Sequence, residues 1–155
     1  MATHSAIGII YNGTCEAVYC HWDGYLEGVG STLIKNYDKT KLMQLIAMGD
    51  ISILGPEIGS KHKFELINKT KEEKDESKNW STFYNRDRGD TDVGSGSFAN
   101  YAEFYDHYIG CGCEYLYLFV DGKYFCSTVQ DKTLRELAEE LAAQEDPENG
   151  NWSVA

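Results

Sequence analysis

Ser5-Ala6-Ile7-Gly8-Ile9-Ile10-Tyr11-Asn12-Gly13-Thr14-Cys15-Glu16-Ala17-Val18-Tyr19-Cys20-His21-Trp22 places two apolar segments on either side of Asn12-Gly13. A two-residue hairpin turn needs positive φ at both central positions, and Asn-Gly reaches that conformation at little steric cost. The stretch therefore predicts two antiparallel strands at the start of the fold. The same signal recurs at Asp121-Gly122, between Glu114–Val120 and Lys123–Val129. The first of those strands is apolar or aromatic at successive positions, so both its faces need cover and it belongs at the centre of a sheet.

Helical signals fill the space between and after the hairpins. Ser31 can cap a helix carrying Leu33, Ile34 and Tyr37, and Asp38 can start another with Leu42, Leu45 and Ile46 on one face and Gly49 as its stop. Asn100 followed by Glu103 has the form of a capping box, and Tyr101, Phe104, Tyr105 and Tyr108 recur at i, i+3, i+4 and i+7. Thr133 with Glu136 repeats the box ahead of Leu137, Ala138 and Leu141, with Leu134 on the same stripe. The expected fold class is α+β: an antiparallel sheet built from two hairpins, around 12–13 and 121–122, with three to four helices packed on one side of it.

A chain of 155 residues is expected to form a single domain over 1–155. Within it, Lys63–Ile67 reads as a short strand. Residues 69–79 hold four acids, four lysines and no apolar side chain, the composition of a solvated insertion or loop. Residues 87–99 are Gly- and Asp-rich and read as a flexible loop, and 145–155 as a frayed acidic tail. The 42% hydrophobic content and two prolines exclude collagen-like, low-complexity and wholly disordered chains. No apolar run approaches the roughly 20 residues of a membrane span. Met1–Tyr11 lacks the basic start and long apolar stretch of a signal peptide, so a cytoplasmic location is expected, with no membrane partner.

The formal charge of −11 repels a phosphate backbone and argues against direct nucleic-acid binding, while leaving a basic protein surface as a suitable partner. Cys15, Cys20, Cys111, Cys113 and Cys126 are an odd set expected to stay reduced in the cytosol. With His21 and His107 they supply zinc-type donors, but a lone Cys-x-Cys lacks the second closely spaced pair of a recognisable site, so no metal and no cofactor are expected. No nucleophile elbow, zinc-protease or kinase motif occurs, and no catalytic residue is assigned; the reading leans away from an enzyme.

Three clusters are candidates for binding. Tyr19-Cys20-His21-Trp22-Asp23-Gly24-Tyr25 ends the second strand, and alternation sends Cys20 and Trp22 to one face and Tyr19 and His21 to the other. Gly28, Gly30 and Ser31 could point backbone N–H groups at an anion, although their spacing matches neither the dinucleotide fingerprint nor the P-loop. Arg86 and Arg88, beside Tyr84, would share a face if they follow a strand, and could bind phosphate while a ring stacks on a base; the competing reading pairs them with Asp87, Asp90 and other acids.

The motif Tyr19-Cys20-His21-Trp22-Asp23-Gly24-Tyr25 with Leu26-Glu27-Gly28-Val29-Gly30 resembles a group of small phage and prophage proteins. So do Met48-Gly49-Asp50-Ile51-Ser52-Ile53-Leu54-Gly55, Asn85-Arg86-Asp87-Arg88-Gly89 and Glu114-Tyr115-Leu116-Tyr117-Leu118-Phe119. The resemblance implies a phage origin, hence the cytoplasm of a host cell, and transfers no catalytic residue. By analogy with small accessory phage proteins, the expectation is a non-enzymatic, counter-defence protein. It would sequester a small anionic, nucleotide-like ligand through Arg86, Arg88, Tyr84, Trp22, Tyr25, His21, Gly28, Gly30 and Ser31. The alternative is an acidic inhibitor that occludes a basic surface of a host defence protein, such as a nucleic-acid-guided nuclease, with Glu136, Glu139 and Glu140. A homo-oligomer is compatible with either.

Overall fold

The computed structural model describes residues 2–145. β1 (Ser5–Tyr11) and β2 (Thr14–Cys20) form the first hairpin, and Asn12 and Gly13 both take positive φ, 53° and 78°. A single π-helical turn, Leu26–Gly30, leads into α1 (Ser31–Asn36) and α2 (Lys39–Ala47). Asp38 caps α2 by accepting the Lys41 N–H at 2.9 Å, and Gly49 closes it at φ 85°. Ser31 is instead the first residue of α1 and makes no capping bond, because the π-turn already delivers the chain in helical conformation. After β3 (Ile51–Ile53) come α3 (Lys71–Ser77), β4 (Thr82–Phe83), α4 (Tyr84–Arg88), β5 (Gly96–Phe98) and α5 (Tyr101–Gly110). β6 (Tyr115–Val120), β7 (Lys123–Thr128), β8 (Asp131–Glu136) and α6 (Leu137–Glu145) follow.

Among the described residues the fold is α+β, one eight-stranded sheet with six helices on it. Its order is β4-β3-β2-β1-β6-β7-β8, with β5 added to β2. Both predicted hairpins therefore lie in one sheet. They meet through β1 and β6, which run parallel with Ser5 opposite Tyr115 and Ile9 opposite Phe119. β2 and β3 also pair in parallel, at Cys20 and Ile51. The sheet is thus mixed rather than wholly antiparallel: each Gly-containing turn dictates only its own hairpin, and the hairpin–hairpin seam is set by which apolar strands must be central.

Helices cover both faces, not one. Ile7, Ile9, Val18, Tyr117 and Phe119 face a core closed by α1, α2 and α6. Ala6, Cys15, Ala17, Leu116 and Leu118 face a second core closed by α5 through Phe104, Tyr105 and Tyr108. With β1 and β6 apolar on alternate positions of both faces, a single helical layer would leave one face wet. Gly8 lets α5 approach: a Cβ there would meet Phe104 at 3.1 Å and Leu118 at 3.3 Å.

Four further expectations need correction. Residues 69–79 contain α3, which Thr70 and Glu73 close with a capping box; a cap and exposed charge pairs suffice for a short helix without an apolar stripe. Lys63–Ile67 is not a strand but leads into a 3-10 turn at Leu66–Asn68. The predicted loop 87–99 begins inside α4 and ends in β5, where Phe98 pairs with Cys15. Thr133–Glu136 belongs to β8, and the helix starts only at Leu137: ladder pairing of Arg135 with Cys126 and Glu136 with Phe125 overrides the local capping pattern. Most of the expected acidic tail, 146–155, lies outside the described residues.

Candidate functional site

α4 places Arg86 and Arg88 on a helix, not a strand. Residues two apart on a helix point in nearly opposite directions, so the two guanidinium groups separate. Arg86 reaches under the chain before α3. Its Nε and Nη2 donate to Asp87 at 2.9 and 3.1 Å, Nη1 to the carbonyls of Ile58 and Gly59 at 3.0 and 2.9 Å, and Nη2 to that of Ser81 at 2.9 Å. All five of its N–H groups are engaged. Asp87, its side chain fully buried, also accepts the N–H groups of Phe83 and His62. Arg86 is a clamp that ties residues 58–62 to β4.

Arg88 donates to both Asp90 oxygens, at 3.0 and 2.7 Å, and lies over the rings of Phe64 and Tyr84 at 4.6 and 4.9 Å. The pairing raises the Arg88 pKa and lowers that of Asp90. Arg88 stays 47% exposed, but its charge already has a counterion. The two arginines therefore do not form one positive spot.

Gly28, Gly30 and Ser31 do not cradle an anion either. The Gly28 N–H donates to Tyr25 O at 3.0 Å, that of Val29 to Asp23 O at 2.8 Å, and that of Ser31 to carbonyls of the same π-turn. The glycines serve close packing: a Cβ on Gly28 would sit 2.2 Å from Asp23 O, and one on Gly30 would meet Tyr117 at 3.1 Å and Leu137 at 3.2 Å.

At the end of β2 the expected alternation separates Cys20 from Tyr19 and His21 but does not extend to Trp22, which lies beyond the strand and packs against His21. Cys20 turns into the core, while the Tyr19 hydroxyl lies 2.9 Å from His21 Nδ1. His21 stacks on His4 with ring centroids 4.6 Å apart, and Trp22 meets His21 edge-on at 4.8 Å. Partial burial, reinforced by His4, holds the His21 pKa below its ordinary value. Trp22 and Tyr25 are 43% and 40% exposed and flank Asp23, whose carboxylate accepts the Tyr25 hydroxyl at 3.3 Å.

The strands that converge here fix this arrangement. His4 O accepts the Glu114 N–H at 2.8 Å, Thr3 O accepts that of Gly24 at 2.8 Å, and the Tyr117 hydroxyl donates to Gly24 O at 2.6 Å. Glu114, Glu27 and half-buried Tyr115 thus join Trp22, Asp23 and Tyr25 at the sheet end where β1 and β6 begin. Glu27 and Glu114 both raise the Tyr115 pKa, after burial. Among the described residues no ion pair involves Asp23, Glu27 or Glu114. Residues 1–34 and 89–122, which supply these side chains, contain no Lys or Arg; the turn from β7 to β8 reaches the same end, where the Val129 N–H donates to Glu114 O at 2.9 Å, and leads to Lys132 and Arg135 on β8. The gap in Lys and Arg is the signal by which His4, Glu27, Glu114 and Tyr115 could have been found in the sequence.

Of the predicted residues, His21, Trp22 and Tyr25 share this sheet end. Tyr84 and Arg88 lie along the neighbouring edge, joined to it through β3: the Trp22 N–H donates to Ser52 O, and that of Tyr84 to Asp50 O. A groove of about 350 Å³ lies at this end, lined by Glu114, Tyr115, Thr128 and Val129, and two of similar size lie by the hairpin turns. One of about 360 Å³ is lined by Ile34, Tyr37, Lys39, Lys123 and Tyr124, another of about 380 Å³ by Ile9, Tyr11, Met43 and Ile46. No predicted site residue lines either.

Burial pushes the thiols of Cys15, Cys20, Cys113 and Cys126 up to about 12, so they stay protonated. Among the described residues no three His, Cys, Asp or Glu side chains gather as a metal site, and no helix is long and apolar enough to cross a membrane. Comparison with protein-family models, curated proteins and solved structures gives no match.

Proposed function

We propose that the protein is a non-enzymatic binding protein that covers a basic surface of another protein with its acidic side. One observation carries this reading: Arg86 is committed inside the fold and Arg88 is paired with Asp90, while among the described residues Asp23, Glu27 and Glu114 make no ion pair. Glu139 in the exposed first turn of α6 extends the negative surface. The resemblance to phage proteins makes a host defence protein the kind of partner to seek. Sequestration of a nucleotide-like anion is the weaker reading, because it now rests on Arg88 alone, in its place over Phe64 and Tyr84.

The deciding experiment uses tagged protein in lysates of defence-carrying cells, with mass spectrometry of co-purifying proteins and released small molecules. A protein that co-purifies with wild type and with Arg88→Ala, and is lost from Glu27→Lys/Glu114→Lys, supports the proposal. A small anion released from wild type and absent from Arg88→Ala overturns it.

A further inference from the structure

Building on the basic-surface reading, we infer that the sheet end seats an arginine side chain of the partner, against the rings of Trp22 and Tyr25 and beside the carboxylates of Asp23 and Glu27. Arginine fits this place for two separate reasons. Its planar guanidinium stacks on aromatic faces and is more weakly hydrated than an ammonium, so it gives up less on leaving water. Its N–H fork then needs acceptors at the rim, and Asp23 and Glu27 offer carboxylates that no cation of this chain occupies among the described residues.

The rings are presented rather than packed away. Trp22 stands edge-on to His21, itself stacked on His4, and remains 43% exposed. Asp23 sits between Trp22 and Tyr25 in the left-handed region, φ 57°, and Gly24 beneath it is anchored from both sides by Thr3 O and the Tyr117 hydroxyl. The loop is therefore held at both edges, so little ordering remains to be done when a partner arrives. Exposed Trp and Tyr next to unpaired acids is the composition of an interface centre, where Trp, Tyr and Arg contribute most.

The probe is a nona-arginine peptide, titrated into the full chain at low salt beside nona-lysine, with the Trp22 indole N–H followed by NMR and assigned through Trp22→Ala. The expected result is a shift of that resonance and tighter binding of the arginine peptide, by about threefold or more. Trp22→Ala/Tyr25→Ala should remove the preference and weaken nona-arginine binding about tenfold. Asp23→Asn/Glu27→Gln should weaken both peptides. If both peptides bind equally, the Trp22 resonance stays fixed and only Glu139→Lys weakens binding, the arginine seat is wrong while the basic-surface reading stands. If neither peptide binds, both fail. The wild-type resonance decides the matter even where a double variant does not fold.

Discussion

Two regions of this chain bring charged and aromatic side chains together, and they use them in opposite ways. Between residues 58 and 90, arginine, histidine, lysine and carboxylate groups bind one another and the backbone: Arg86 holds four partners, His62 Nδ1 lies 2.8 Å from Lys69 Nζ, and Lys69 donates to Ser77 at 2.6 Å. At the sheet end, rings stack while carboxylates find no cation. A residue type that suggests binding in the sequence can thus be structural, and a stretch conspicuous for what it lacks can be the available surface. Net charge is silent about which of its charges are free.

The largest expected effect follows from Arg86. Arg86→Ala leaves Asp87 buried with its main counterion gone and takes a donor from the Ile58, Gly59 and Ser81 carbonyls, and removing one partner of a buried ion pair costs about 3–5 kcal/mol. Chemical denaturation should show that loss. A loss below about 1 kcal/mol would mean that the clamp is dispensable and Arg86 is available for other work. Next is Thr70→Ala, which removes the cap of α3 and should cost about 1 kcal/mol. Hydrogen exchange should locate it in residues 71–77 and leave β1 and β6 protected.

The hairpins were legible because each depends on two adjacent residues, Asn12-Gly13 and Asp121-Gly122, whose positive φ is a local property. The α5 helix was legible through Asn100, whose side chain accepts the Glu103 N–H at 2.9 Å, and through its aromatic spacing. The parallel seam between β1 and β6 was not, since nothing near Ile7 names Tyr117 as its neighbour. β8 misled because Thr133 and Glu136 imitate a cap that strand pairing suppresses. In the candidate site, His21, Trp22 and Tyr25 were found as neighbours in sequence, whereas Glu114 and His4 join them only through strand register. Arg86 looked like a ligand for phosphate because its carbonyl partners, Ile58 and Gly59, are 28 and 27 residues away.

The His4–His21 stack offers a pH test confined to the sheet end. Because the His21 pKa is lowered on folding, the unfolded chain binds its proton first. The stability from this group is present above the ordinary histidine value of about 6.5 and is lost as pH falls from there through the folded value. Thermal unfolding of wild type should weaken between pH 7.5 and pH 5.5 more than that of His21→Gln. Parallel behaviour of the two would show that the stack carries no penalty for charge. The acids lowered by their partners, Asp131 at about 2 with Glu73 and Asp90 also lowered, lose their contributions at more acidic pH and do not confuse this window.

The smallest expected change in stability is the most informative about the comparison. Trp22 and Tyr25 are large side chains, and burying either would stabilise the fold by several kcal/mol, so truncation of a packing residue costs about 3–5 kcal/mol. Exposed at 43% and 40%, with an edge contact to His21 and a 3.3 Å hydrogen bond to Asp23, they stand outside both hydrophobic cores. Trp22→Ala/Tyr25→Ala should therefore unfold within about 0.5 kcal/mol of wild type, as surface substitutions usually do. A loss of about 2 kcal/mol or more, the scale of a buried truncation, would make the rings a cover for the histidine pair. The two regions would then differ in composition alone, both devoted to holding the chain together, and the surface for a partner would have to be sought at α6 and β8.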